Sequence, residues 1–257
     1  MSTFAPGTFT PAPGRGKLGR MLLTQARTET ALALRHGEQV LLTLLIPLAL
    51  LIGLTLLKIV PMPAPRVDSV TPRVFALAIM SSAFTGQAIA LGFDRRYGVL
   101  KRLAATALPR WLLGAGRLAA AATVVLVQIV VLGIVAAILG WSPDWSGVGG
   151  GILLIALGTV AFGALGVLLG GALRAEIVLA LANIIWFVLL LVGGAGLTSS
   201  LPDGVRDALL VIPSGALAEG LYSALGQGST PVWVCALILL GWGVLAGAIA
   251  TRTTKLN

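Results

Sequence analysis

The chain has 257 residues, 57% of them hydrophobic and 11% charged, and its 18 Lys and Arg against 9 Asp and Glu give a formal charge of +9. A mean hydropathy of +0.99 excludes a soluble globular domain of this length, which has no means of burying so much apolar surface. At about twenty apolar residues per crossing of a roughly 30 Å hydrocarbon core, there is room for six spans with short connections and none for an added soluble catalytic domain.

The first sixteen residues, "MSTFAPGTFTPAPGRG", are polar and rich in Pro and Gly, and no short apolar stretch with a cleavage site follows. They read as a disordered tail rather than a secretory signal. Between Leu18 and Arg35 one helical stripe carries Arg20, Thr24, Arg27 and Arg35, and the other carries Leu18, Met21, Leu22 and Ala26. Within the segment 17–38 this predicts an amphipathic helix in the membrane interface, apolar face towards the lipid. Six apolar segments are expected to span: Gln39–Val60, Val74–Phe93, Leu112–Leu139, Gly149–Leu173, Ile177–Leu197 and Val232–Ala250. The predicted fold is thus an all-α integral membrane protein.

Between the second and third spans lies "FDRRYGVLKRLAATALPR", with five cations in eighteen residues. If helical from about Tyr97 to Leu108, it places Leu100, Leu103, Ala104 and Ala107 on one face and Lys101, Arg102 and Thr106 on others. Gly98 permits a sharp exit from the second span, and Pro109 disfavours helix at Leu108. Positive-inside anchoring explains the charges. An amphipathic turn closed by Gly and Pro is more than a connector needs, so docking against a partner stands as the other reading.

Orientation follows from the cations. Arg15, Lys17, Arg20, Arg27, Arg35, Arg95, Arg96, Lys101, Arg102, Arg110, Arg117, Arg174, Arg252 and Lys255 fall on one side of the six spans. Lys58, Arg66, Arg73 and Arg206 fall on the other. This asymmetry predicts that both termini face the cytoplasm. It also accounts for the +9 as a topology signal rather than a nucleic-acid footprint, because the aromatic interleaving that stacks bases is missing.

Cys235 and His36 are the sole residues of their kinds. With no HExxH and no cysteine pair, no protein-made metal site is expected, and Cys235, inside an apolar run, reads as a buried inert thiol. The central parts of the expected spans hold no ionisable side chain, which weighs against proton relays and intramembrane hydrolases. Their notable polar residues are Gln87, Gln128 and Asn183, with Ser81, Ser82, Thr85 and Thr159. Hydrogen bonding between helices is one use for them. Gly166–Gly170, Gly243–Gly247 and Ser82–Gly86 have the spacing of close helix packing. Trp141, Trp145 and Trp233, near span ends, suit interfacial anchoring.

The stretch "FDRRYGVLKRLAATALPRWLLGAGRLAA" resembles the loop between spans two and three of ABC-2-type transporter permeases. Two departures are Arg95–Arg96, where acidic residues are frequent, and Ala107, where Pro is usual. The later run from Gly163 to Leu225, with its small-residue fourth span, Asn-bearing fifth span, Gly cluster and outer "LP" and "EGL" elements, is also similar to that family. The resemblance implies six transmembrane helices, an N-terminal interfacial helix, a cytoplasmic coupling helix and outer re-entrant helices at about 198–231. It implies an efflux-type permease paired with a second permease copy or a related one and with two copies of an ATP-binding subunit. Its coupling set would be Asp94, Arg95, Arg96, Gly98, Leu100, Lys101, Arg102, Leu103 and Ala107, with Leu100 and Leu103 seated in the ATPase. Ser82, Gln87 and Asn183 would line the translocation path. Pro213 and Glu219 would lie at the outer mouth, Glu219 as a solvated rim charge or a gate.

No GxxxxGK[ST] occurs, so ATP and Mg²⁺ are expected in the partner subunit, and no cofactor on this chain. The absence of an "EAA…G" signature in the loop favours export over import. So apolar a path suits a hydrophobic or amphipathic cargo, drug-like or lipid. The competing readings are a structural or assembly membrane subunit with no transport role and, far behind for want of catalytic groups, an intramembrane enzyme.

Overall fold

The computed structural model describes residues 17–35, 37–57, 64–105, 109–195, 202–226 and 228–253. The tail 1–16, His36, Ala107 and Lys255 lie outside them, and no strand occurs among the described residues.

α1 (Leu18–Arg35) lies along α5 (Arg110–Ile138). Arg20, Thr24 and Arg27 are exposed, while Met21, Leu22 and Ala26 are half-buried; Leu18 departs from its stripe and is exposed. The close approach is made at Gly116, where a Cβ would stand 2.5 Å from Gln25 Cγ. α2 (Gly37–Leu56) follows, with Pro47 inside it.

α3 runs without a break from Arg66 to Arg96, 31 residues, and is the central helix of the bundle. It starts eight residues before the expected Val74. Arg73, counted in the sequence as a flanking cation, is buried within this extra length against Glu219 and Tyr222. Met80–Gly86, in the middle of α3, is π-helical, an insertion that widens the turn and redirects side chains.

After α3 come α4 (Val99–Ala104), α5, α6 (Val148–Ala172), α7 (Ala175–Ala195), α8 (Asp203–Val211), α9 (Pro213–Leu225) and α10 (Val232–Thr253). Five helices among the described residues are long and apolar enough to cross a membrane: 66–96, 111–138, 145–172, 175–194 and 232–252. Thr43–Leu56 of α2 is a shorter apolar stretch.

Because lipid tails are as apolar as leucine, these helices gain little from hiding apolar area and must gain from close fit. Small residues supply that fit. A Cβ at Gly166 would meet Phe84 O at 2.7 Å, and one at Gly170 would meet Ala88 O at 2.5 Å. α6 therefore lies backbone against backbone on α3. In the second GxxxG pair, Gly243 touches Ala161 while Gly247 faces open space. The shared core includes Ile79, Met80, Leu132, Leu154, Phe162, Leu217 and Leu239.

At one end of the bundle, the loop end, α3 hands over to α4 and α6 to α7. The far end holds the start of α3, the 139–147 connection and the C-terminus of α9. There Asp144 N donates to Leu225 O at 3.2 Å. Asp144 Oδ1 accepts from Ser146 Oγ at 2.7 Å and Ser146 N at 2.9 Å, which holds its carboxyl below the usual range. Trp145 and Trp233 are exposed as interfacial anchors should be, but Trp141 turns inward, edge-on to Phe75 at 5.6 Å.

The segment expected to be re-entrant forms α8 and α9. α9 is not a loose cap: ten of its thirteen residues are buried, against α3, α6, α7 and α10. A non-spanning helix is tolerated at depth when protein surrounds it in this way.

Candidate functional site

At the loop end α3 stops at Arg96. Gly98 takes φ +69, a left-handed conformation that disfavours side chains, and α4 starts at once. The arginines entering this turn are committed to the bundle. Arg95 Nη1 donates to the carbonyls of Gly170 at 3.1 Å and Leu173 at 3.2 Å, which end α6. Arg96 is ion-paired with Glu176 of α7, and Arg117 of α5 with Asp94 of α3. The turn is thereby tied to α5, α6 and α7 together. No separate signal in the sequence singled out Glu176 or Arg117 as the partners.

α4 itself departs from the expected face. Leu100 is only 6% exposed, packed within its own chain near Leu91 and Leu113, and Leu103 is half-buried. The six-residue helix is too short to stand away from the spans, so its apolar side seals their ends. Lys101, Arg102 and Ala105 are the exposed positions.

A cavity of about 390 Å³ opens beside this turn. Ser82, Gln87 and Asp94 of α3, Arg117 of α5, Thr43 of α2 and Glu29 of α1 line it along with apolar side chains. Ser82 and Gln87 therefore share one space. Gln87 also borders a second, more apolar cavity of about 550 Å³ among α3, α5, α6 and α10. Asn183 is in neither. It is exposed on α7, and its amide nitrogen donates to Leu179 O at 2.7 Å.

The π-helical stretch of α3 gathers the polar groups. Ser82 Oγ donates to Gln128 Oε1 at 2.7 Å, and Gln128 Nε2 donates to Thr43 Oγ1 at 3.2 Å, joining α3, α5 and α2. Gln128 is completely buried. One residue earlier, Ser81 Oγ accepts from Trp186 Nε1 of α7 at 2.9 Å and donates to Leu77 O at 2.9 Å. The buried Thr85 hydroxyl has no hydrogen-bond partner.

At the far end, Arg73 Nη2 sits 3.2 Å from Glu219 Oε2, with side-chain exposures of 7% and 19%. Arg73 Nη1 donates to Ser69 O at 2.8 Å, and the guanidinium carbon lies 4.1 Å from the centre of the Tyr222 ring. Glu219 is thus a half-buried partner of Arg73 and not a fully solvated rim charge. The cation count assigned Arg73 to a flank and missed this contact. Pro213 is buried in the first turn of α9.

The family model for ABC-2 family transporter proteins matches residues 67–252, from the first turn of α3 through α10. The chain belongs to the ABC-2 transporter family. It is a multi-pass membrane protein of the kind that forms the membrane subunit of an ABC transporter, and the family in general works with an ATP-binding partner. A search of curated proteins found no match to the chain. The ABC-2 match takes in all of the loop-end turn, the 550 Å³ cavity and the Arg73–Glu219 pair, and leaves α1 and α2, with their share of the 390 Å³ cavity, outside.

Proposed function

We propose that the chain is the permease of an ATP-driven exporter for hydrophobic or amphipathic cargo such as a drug-like molecule or lipid. Two copies of an ATP-binding subunit, holding ATP and Mg²⁺, would work with this permease and a second, identical or related one. This chain itself would carry out no chemistry. The loop end would face the cytoplasm across the cell membrane, in line with the cation asymmetry.

The observation that carries this reading is the joining of an exposed basic face to a long, deeply packed helix. Lys101, Arg102 and Ala105 present themselves outward, while Asp94, Arg95, Arg96 and Gly98 fix α4 to the end of α3. A load applied to α4 by a closing ATPase dimer would pass along α3 as through a rod. The π-helical stretch at 80–86 is where that rod has a widened turn. Ser82 and Gln87, beside it, would change their spacing to α5 and so reshape the cavity between α1, α3 and α5. At the other end of the same helix, Arg73 would carry the movement to Glu219 and Pro213 in α9, at the outer mouth. Leu103 and Ala107 would complete the docking surface, with Leu100 supporting it from beneath.

Asn183 fits this scheme from the outside of α7. A second permease copy against that face would enclose its carboxamide and complete the path between subunits. The test is co-purification of the chain in mild detergent with an ATP-binding subunit, followed by ATP hydrolysis. The complex should hydrolyse ATP and the chain alone should not. Hydrolysis by a preparation proven free of a second subunit would remove the reading.

A further inference from the structure

A second charged cavity at the loop end shares Arg95, Arg96 and Lys101 with the coupling scheme and adds Arg174, which that scheme does not use. It measures about 440 Å³ and lies where the ends of α3, α4, α6 and α7 meet. Four cations line it, Arg95, Arg96, Lys101 and Arg174, against one carboxylate, Glu176. Glu176 pairs with Arg96, and Arg95 spends one nitrogen on two carbonyls. Lys101 and Arg174 are both exposed, and neither side chain has an ion-pair or hydrogen-bond partner among the described residues. The cavity therefore keeps a formal excess of three positive charges over its one lining carboxylate.

Its position narrows what anion fits. Arg174 sits in the single extended step between α6 and α7, where Leu173 has φ −114 and ψ 169. That step lies at the boundary where two apolar spans end. From there a side of α7 about a third of a turn away from Asn183 runs off from the cavity as an exposed apolar strip with Ile177, Ile184 and Val188. A ligand joining a phosphate to hydrocarbon would meet both surfaces at once.

We infer that this cavity binds the phosphodiester headgroup of an anionic phospholipid, with its acyl chains along α7. Basic recesses between span ends are suited to such headgroups because the lipid surface concentrates negative charge there. An acidic protein segment would satisfy the cations but leave the apolar strip unused. The inference needs no ATPase, cargo or direction of transport, so it stands or falls separately from the permease reading.

The test uses the full chain in detergent without any ATPase, and native mass spectrometry of retained lipid. Phosphatidylglycerol should be retained about tenfold more than phosphatidylcholine. The double variant Lys101→Gln/Arg174→Gln should lose that preference, whereas Lys101→Arg/Arg174→Lys, and Arg252→Gln outside the cavity lining, should keep it. Since both positions are exposed, folding is checked by an unchanged thermal transition in phosphatidylcholine. Inorganic phosphate and glycerol phosphate at millimolar concentration should fail to displace the lipid. Displacement by either would make this a site for soluble anions and overturn the lipid assignment. Equal retention of the two lipids, or a preference surviving in the double Gln variant, would overturn it too. So would displacement of phosphatidylglycerol by a poly-glutamate peptide, which would assign the cavity to an acidic protein surface.

Discussion

Arg73 of α3 and Glu219 of α9 form an ion pair at 3.2 Å beneath the ring of Tyr222, sequestered at the far end of an otherwise apolar bundle. Its value lies less in the net energy of the pair than in the cost of breaking it, since one uncompensated charge would stay behind. Glu219→Gln should destabilise the protein by about 3 kcal/mol. In a thermal unfolding scan in detergent, that corresponds to a fall of roughly 6–12 °C for a chain of this size. Arg73→Met with Glu219→Leu should recover most of the loss. A double variant as unstable as the single one would show that the pair is not what holds α9 to α3.

Close packing of α6 on α3 makes two glycines unequal to two others that share their spacing. A methyl group at Gly170 would meet a backbone oxygen at 2.5 Å, and backbone does not move aside cheaply. Gly170→Ala should therefore cost on the order of 1–3 kcal/mol. Gly247→Ala should change the thermal transition little, since nothing lies within 4 Å. Equal effects at the two sites would refute the packing account.

Gln128 is the hub of the seam across α2, α3 and α5. Gln128→Leu leaves the Ser82 and Thr43 hydroxyls without it, at a cost of about 1 kcal/mol in a membrane bundle. Under the transport reading the larger effect falls on function, because the seam borders the π-helical turn. ATP hydrolysis stimulated by cargo should drop more than stability does. A stimulated rate equal to that of the parent would confine Gln128 to a structural role.

Much of the architecture was legible because hydropathy and helical period report it directly. The bounds of α1, α5, α6 and α10 are within about three residues of expectation, and Cys235 is buried as anticipated. What escaped depended on pairing across distant sequence. Arg73 read as a flanking charge because its partner lies 146 residues away. Leu100 read as a free docking residue because amphipathicity marks a buried face without saying what buries it. Ser82 and Gln87, grouped with Asn183 only by the resemblance, line one cavity, but Asn183 on α7 faces outward, and periodicity alone does not tell a face inside the chain from one awaiting another subunit.

Membrane orientation is testable with single cysteines, since Cys235 is buried. Ser142→Cys, in the exposed far-end connection, should react with an impermeant thiol reagent in intact cells. Ala105→Cys at the loop end should react only after the membrane is opened. The reverse pattern would place the termini outside.

The outward face of α4 is the proposed seat of a separate ATPase. Replacing Leu100 does not test it cleanly, because that side chain supports the bundle. Arg102 is exposed and does test it. A photo-crosslinking amino acid at position 102, irradiated in the purified complex, should form an adduct with the ATP-binding subunit. The same group at Trp145, exposed at the opposite end, should form none. A complex that retains ATP hydrolysis but yields no adduct at 102, or yields one at 145 instead, would contradict the account.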